Sequence, residues 1–247
     1  RNLAIMKNAL NASDTENDNL AIGYNAMTTN TAGGTSNIAF GNYALDALTS
    51  GDENIAIGYN TLGANTTASY NIGIGTSALL TNSTGAENVA VGFSALKLNA
   101  TTSQNTAVGH DALRNNIAVQ NTAVGHSALN ANTTGAENVA IGYQSMLTNT
   151  TGADNTAIGL KTLTLNTTGG SNTAVGLQAL QNNTTGDANI AVGRNAMQAN
   201  TTGTRNTAIG YTAYDASDTE NDNLAIGYAA MTTNTAGGTI NIAIGNY

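Results

Sequence analysis

The string Asn-x-Ala-(Ile/Val)-Gly returns along the whole chain at a nearly fixed interval, and that interval limits the possible folds more than any other property. It begins at Asn2, Asn19, Asn37, Asn54, Asn71, Asn88, Asn105 and Asn121, and again at Asn138, Asn155, Asn172, Asn189, Asn206, Asn223 and Asn241. Of the fourteen intervals, eleven are 17 residues, two are 18 and one is 16. The unit reads N-x-A-I/V-G-x-x-A-L/M-x-x-N-T-T-G-x-x, and positions are numbered below from its first Asn. A period of this length marks a solenoid: one coil buries too little apolar surface to be stable, and stacking gives each coil its neighbours. The pattern runs through residues 1–247, so a single continuous array without a linker is expected. Ser13–Thr35 returns with one change at Ser217–Thr239, an offset of 204 residues, or twelve units. The chain opens at Arg1 and stops inside a unit, as a window cut from a longer fibre would.

Position 2 is Leu, Ile, Val or Thr, and position 4 is Ile or Val except at Phe40. Position 3 is Ala except at Gly73, and position 5 is Gly except at Met6. Alternation along a strand puts β-branched bulk on one face and Ala and Gly on the other. A five-residue strand over positions 1–5 follows, since β-branching suits an extended backbone and the run is too short for a helix. Position 4 is expected to stack inward on position 4 of the next coil, and the Leu or Met of position 9 likewise. The Ala/Gly face suggests close approach of another backbone, either the coil's own opposite wall or a neighbouring chain, and the small interior of such a coil favours a neighbouring chain. Positions 6–12 fit either one helical turn or a second bent strand. Positions 12–15, Asn-Thr-Thr-Gly in the regular units, carry turn chemistry. The fold class is therefore all-β, with one short helical turn per coil left open: a parallel β-solenoid of about 14 coils. Main-chain bonds between coils and Asn ladders supply cohesion.

Composition removes several function classes. There is no Cys, Pro or Trp, so disulfide scaffolds and Cys-based metal or redox sites are excluded. Seven Lys and Arg against fifteen Asp and Glu give a net charge of −8, without the basic patch that nucleic acid requires. No apolar run approaches the roughly 20 residues of a membrane span.

The N-T-A-I-G and N-V-A-V-G strands, one per coil, resemble the head repeats of trimeric autotransporter adhesins, the YadA-like family. Similar arrays occur in long phage tail fibres and in bacterial surface proteins that end in a self-cleaving intramolecular chaperone. The resemblance implies three chains, each a left-handed parallel β-roll, packed about one axis. It covers the five-residue strand motif in every unit, while the A-L-x-x-N-T-T-G remainder departs from the family, whose head coils are usually shorter. Its implication is an extracellular, cell-surface or virion fibre segment: a homotrimer, non-enzymatic, with a host-cell surface glycan or protein as possible partner.

Candidate sites are few. His110 and His126 occupy position 6 of successive coils, where they are either metal ligands or members of an aromatic column with Tyr24, Tyr59, Phe93, Tyr143, Tyr211 and Tyr228. That column is also a candidate sugar-binding strip, which makes a carbohydrate-binding module the first alternative function. The acidic strings hold Asp14, Glu16 and Asp18, then Asp218, Glu220 and Asp222, at alternating positions. Oxygen-rich loops of this kind can take Ca²⁺, although the EF-hand's Gly and closing Glu are missing, and a solvated loop edge is the plainer account. No cofactor is expected. Asn-x-Ser/Thr triplets at Asn65, Asn82, Asn132, Asn149, Asn166, Asn183 and Asn200 sit at position 12, as glycan acceptors or as turn Asn. The Thr-Thr pairs raise an ice-binding solenoid as the second alternative, but adjacent strand residues point to opposite sides and do not stand two abreast.

Overall fold

In the computed structural model, residues 1–12, 17–216, 219–232 and 238–246 are described, and among them there is no helix. Every strand is three residues long and parallel to its neighbours. Two compact units divide the chain, residues 1–120 and 121–247, and the boundary follows the one 16-residue interval. The first unit holds β1 (Leu3–Ile5), β2 (Leu20–Ile22), β3 (Ile38–Phe40), β4 (Ile55–Ile57), β5 (Ile72–Ile74), β6 (Val89–Val91) and β7 (Thr106–Val108). The second holds β8 (Thr122–Val124), β9 (Val139–Ile141), β10 (Thr156–Ile158), β11 (Thr173–Val175), β12 (Ile190–Val192), β13 (Thr207–Ile209), β14 (Leu224–Ile226) and β15 (Ile242–Ile244). Within each unit, like positions pair: Ile55 with Ile72 and Ile57 with Ile74 in one, Thr156 with Thr173 and Ile158 with Val175 in the other. Each unit is thus the parallel β-solenoid that the period implies. The 18-residue coils keep this register, with Leu20 opposite Ile38 and Leu224 opposite Ile242.

The strand faces are the reverse of the expectation. Ala at position 3 is fully buried, as at Ala56 and Ala157, whereas position 4 turns outward and Ile57, Ile74, Ile141, Ile158, Val192 and Ile209 keep 37–40% of their surface exposed. The reason is volume. Opposite each strand the coil already holds the buried Ala of position 8, the Leu or Met of position 9 and two Asn side chains, as with Ala179, Leu180, Asn172 and Asn183. Only a methyl group fits between them, so β-branched bulk goes outside. Gly73 shows how tight this is, since a Cβ there would lie 2.6 Å from Cγ2 of Thr61, which replaces Ala at position 8.

Close approach of a second chain does not account for the small residues either. A Cβ on Gly142 would lie 2.2 Å from the carbonyl oxygen of Gly159 in the next coil, and φ there is +136°. The backbone that demands glycine belongs to the same chain, one coil on. This glycine also ends the strand, which therefore covers positions 2–4 and not 1–5.

Positions 6–11 are a second hydrogen-bonded wall rather than a helical turn. Lys161 at position 7 and Leu163 at position 9 have φ of 54° and 49°, which no right-handed helix contains. The Lys161 amide donates to the Tyr143 carbonyl of the preceding coil (2.9 Å), and the Leu163 amide to the Ala179 carbonyl of the following one (3.1 Å). A left-handed Leu costs about 1–2 kcal/mol, and burying its side chain returns about 1.5–3 kcal/mol. Position 9 does face inward as the period predicts, from Leu45 to Leu113 in the first unit and from Leu129 to Met197 in the second.

Two buried Asn ladders complete the interior. At position 1, the amide and Nδ2 of Asn172 both donate to Oδ1 of Asn155 (3.0 and 3.1 Å), and Nδ2 also donates to the Gly186 carbonyl (2.8 Å). At position 12, Nδ2 of Asn166 donates to Oδ1 of Asn149 (2.7 Å) and to the Gly169 carbonyl (2.8 Å). Each amide thereby satisfies groups that the narrow coil shuts off from water.

Candidate functional site

Because the strand's inward position takes no more than a methyl group, positions 2 and 4 build two outward columns along each unit. Like-position pairing sets one pair of side chains per coil, about 4.8 Å apart along the axis and about 6.7 Å across it. No residue at position 2 or 4 is charged, although the chain carries a net −8. The result is a ridged, uncharged strip with regular spacing, aliphatic along position 4 apart from Phe40 and interspersed with Thr along position 2, too continuous to be scattered surface apolarity. Sequence reasoning found these residues and assigned them to the wrong side.

Position 6 lies beyond the glycine of position 5 and supplies rings at the edge of the strip. Phe93 stacks on His110 at 4.9 Å between centroids, His126 on Tyr143 at 5.5 Å, and Tyr211 on Tyr228 at 5.4 Å with planes 5° apart. The histidines thus sit within the aromatic column. Tyr24 and Tyr59 are bridged edge-on by Tyr43, a position 7 residue that counting by position overlooked, at 5.6 and 5.8 Å. The Arg194 guanidinium lies 5.7 Å from the centroid of Tyr211 and covers its other side. In the three stacked pairs the facing sides of the rings are closed to a sugar, whereas Tyr24, Tyr43 and Tyr59 meet edge to face.

Among the described residues, neither candidate for metal binding groups three ligands. His110 Nδ1 contacts Asp111 Oδ2 at 3.1 Å, and His126 Nδ1 contacts Ser127 Oγ at 3.0 Å. Of the acidic strings, Asp14, Glu16 and Asp218 lie outside the described residues, and Asp18 is exposed. Glu220 is buried, with its Oε2 accepting from the Thr219 amide at 3.2 Å, while Asp222 faces out and takes two bonds from Arg205 at 2.6 and 2.8 Å. Those bonds hold the Asp222 carboxyl below the usual range and raise the Arg205 guanidinium. Partial burial pushes Asp46 and Asp215 the other way, upward. Among the described residues no three His, Asp or Glu side chains are grouped to hold an ion, and no pocket is present.

The Asn-x-Ser/Thr asparagines do hold the turn, each bonding a group three residues on, but they do so from inside the coil. Asn65, Asn82, Asn132, Asn149, Asn166, Asn183 and Asn200 are all fully buried in the position 12 ladder. Their Nδ2 groups, the atoms a glycan would need, donate instead to carbonyls such as Gly85 (2.8 Å from Asn82) and Gly152 (2.9 Å from Asn149). In the Thr pairs, the first hydroxyl is spent within the coil stack, with Thr150 Oγ1 donating to the Thr167 carbonyl at 2.9 Å, and the second, Thr151, is exposed. No family model matches the chain, and neither a curated protein nor a solved structure does.

Proposed function

We propose that this chain is a non-enzymatic segment of an elongated extracellular fibre, on a cell surface or a virion, that assembles side by side with copies of itself as a homotrimer. The observation that carries the proposal is the outward strip of positions 2 and 4, which is uncharged and periodic, with an Ile or Val column at position 4, apart from Phe40, beside a mixed Leu, Ile, Val and Thr column at position 2. A flat partner surface without that period would leave gaps on it at every coil, whereas another copy carries the same spacing. Like-charged copies are also best brought together where the acidic residues are absent. The number three rests on the likeness of the strand motif to trimeric adhesin heads. In this role the segment acts mechanically, as a shaft or head that holds a binding tip away from a surface or presents repeated weak contacts to a host glycan or protein. Sedimentation or mass photometry tests it: a single species at three times the 24.9 kDa chain mass is expected, and a monodisperse monomer removes the proposal.

A second function has one observation in its favour. In the second unit, Thr122, Thr156, Thr173 and Thr207 stand at position 2 beside Val124, Ile158, Val175 and Ile209 at position 4. This sets one outward Thr per coil beside an aliphatic residue, in a column broken by Val139 and Ile190, and for ice binding it is a more regular array of hydroxyls than the Thr-Thr pairs offer. Thermal hysteresis of the purified chain separates the two functions, since a strip covered by other copies gives none.

A further inference from the structure

A strip with a one-coil period has an ambiguity that self-association must resolve. Sliding one copy past another by a whole coil, 17 residues, again sets Ile or Val against Ile or Val in the position 4 column, so that column by itself hardly distinguishes the displaced assemblies. Something in the strip must break the equivalence. Phe40 is the one aromatic residue at position 2 or 4 anywhere in the chain. It stands on β3, in register between Ile22 of β2 and Ile57 of β4, and half of its surface is exposed. Its ring therefore projects from a column that is otherwise built from Ile and Val.

We infer that Phe40 is the register pin of the self-associated fibre, the residue that sets copies of this chain at one axial level. This rests on the proposal that the strip seats other copies. Under rotational symmetry every copy brings its Phe40 to the same height, where the rings meet one another. A slip of one or more coils drives each ring against the Ile or Val ridge of a neighbour, where the columns leave no hole for it, and overpacking disfavours that state. A buried polar residue fixes register in a helical coiled coil by the same logic, one position in a repeat made unlike the others. Slippage also has a visible outcome. Staggered copies leave uncovered strip at each end, and this recruits further chains in open-ended fashion instead of closing the assembly.

The experiment compares the wild-type chain, Phe40→Ile and the double variant Phe40→Ile/Ile57→Phe by mass photometry, with circular dichroism to confirm the fold. Both positions are substantially exposed, so all three fold alike. A single closed species is expected for the wild type and a ladder of higher masses for Phe40→Ile. The double variant, whose pin has moved one coil, should return to the single species. It should also sort from wild-type chains when the two are mixed, because an in-register mixture opposes Phe to Ile at two levels. If Phe40→Ile gives the same single species as the wild type, the pin is overturned while self-association stands. A monomeric wild type overturns both.

Discussion

The two units have one interior and differently composed outer faces. In the first, position 2 runs Leu3, Leu20, Ile38, Ile55, Ile72 and Val89 before Thr106, and in the second it runs Thr122, Val139, Thr156, Thr173, Ile190 and Thr207 before Leu224 and Ile242. Side-chain shape scarcely changes, because Thr is as β-branched as Val, but polarity does. The position 12 ladder differs the other way. In the first unit Leu48 interrupts it between Asn30 and Asn65, while in the second it is unbroken from Asn132 to Asn200. The strand geometry therefore asks only for branching outside, whereas the interior tolerates a different residue only where its volume and bonds can be matched. Self-association is the property on which the two units should diverge, and folding the one on which they should agree.

The largest effect tests that agreement. Ala56→Gln and Ala157→Gln place a long amide where only a methyl group fits, in a fully buried position of either unit. Overpacking and a buried amide together should cost about 3 kcal/mol or more in each. Hydrogen exchange should show lost protection in the coils on both sides of the substitution. If one unit absorbs the change, the interiors are not equivalent.

Next is the ladder. Asn166→Ala removes the donor to Asn149 Oδ1 and the acceptor for Asn183 Nδ2, while the Gly169 carbonyl keeps its bond from Asn155 Nδ2, and it should cost about 1–3 kcal/mol in thermal or urea denaturation. Leu48→Asn, which supplies the amide missing from the first unit, should change stability by less than about 1 kcal/mol, since the transfer cost is offset by new bonds. Equal losses for the two would mean that the interruption is not a matched replacement.

A smaller effect on folding comes from making the outer faces alike. Thr156→Ile with Thr173→Ile should leave stability within about 0.5 kcal/mol, as surface changes do, but should strengthen association in sedimentation. Unchanged association would separate the strip from the interface.

The pH dependence is smaller again. The Asp222 carboxyl lies below its ordinary value through Arg205, so its contribution is present above its unfolded pKa, about 3.9, and is lost as pH falls through the lower folded value. Asp46 has the opposite sign. Burial raises its folded pKa, so ionisation opposes folding as pH rises through that window, and Asp46→Asn should raise Tm slightly at pH 7 and not at pH 3. Melting curves at the two pH values check both signs.

How much of this was legible in the sequence depended on what each residue type encodes. The period gave the coil, the parallel register and the inward Leu of position 9, because recurrence alone places like on like. Alternation separated positions 2 and 4 from position 3 but did not say which face is inside. Hydrophobicity pointed to Ile158, and only the volume already occupied by Leu163 and the two Asn ladders assigns the interior to Ala157. The left-handed Leu of position 9 was illegible for another reason: Leu has no preference for positive φ, and the conformation is imposed by hydrogen bonds to the coils on either side. Asn at position 12 reads as a turn residue and is one, but the same amide also builds the buried ladder, which its return in coil after coil signals.

The 18-residue coils keep the strand register of their neighbours, so the extra residue lies outside the strands. Gain or loss of a whole 17-residue repeat disturbs even less, since within each of the two compact parts strand after strand pairs like position with like. For the gene this means that length is a nearly free parameter. Recombination between near-identical stretches, such as those encoding Ser13–Thr35 and Ser217–Thr239, adds or deletes coils in whole numbers, and each product of such an exchange inherits a foldable stack.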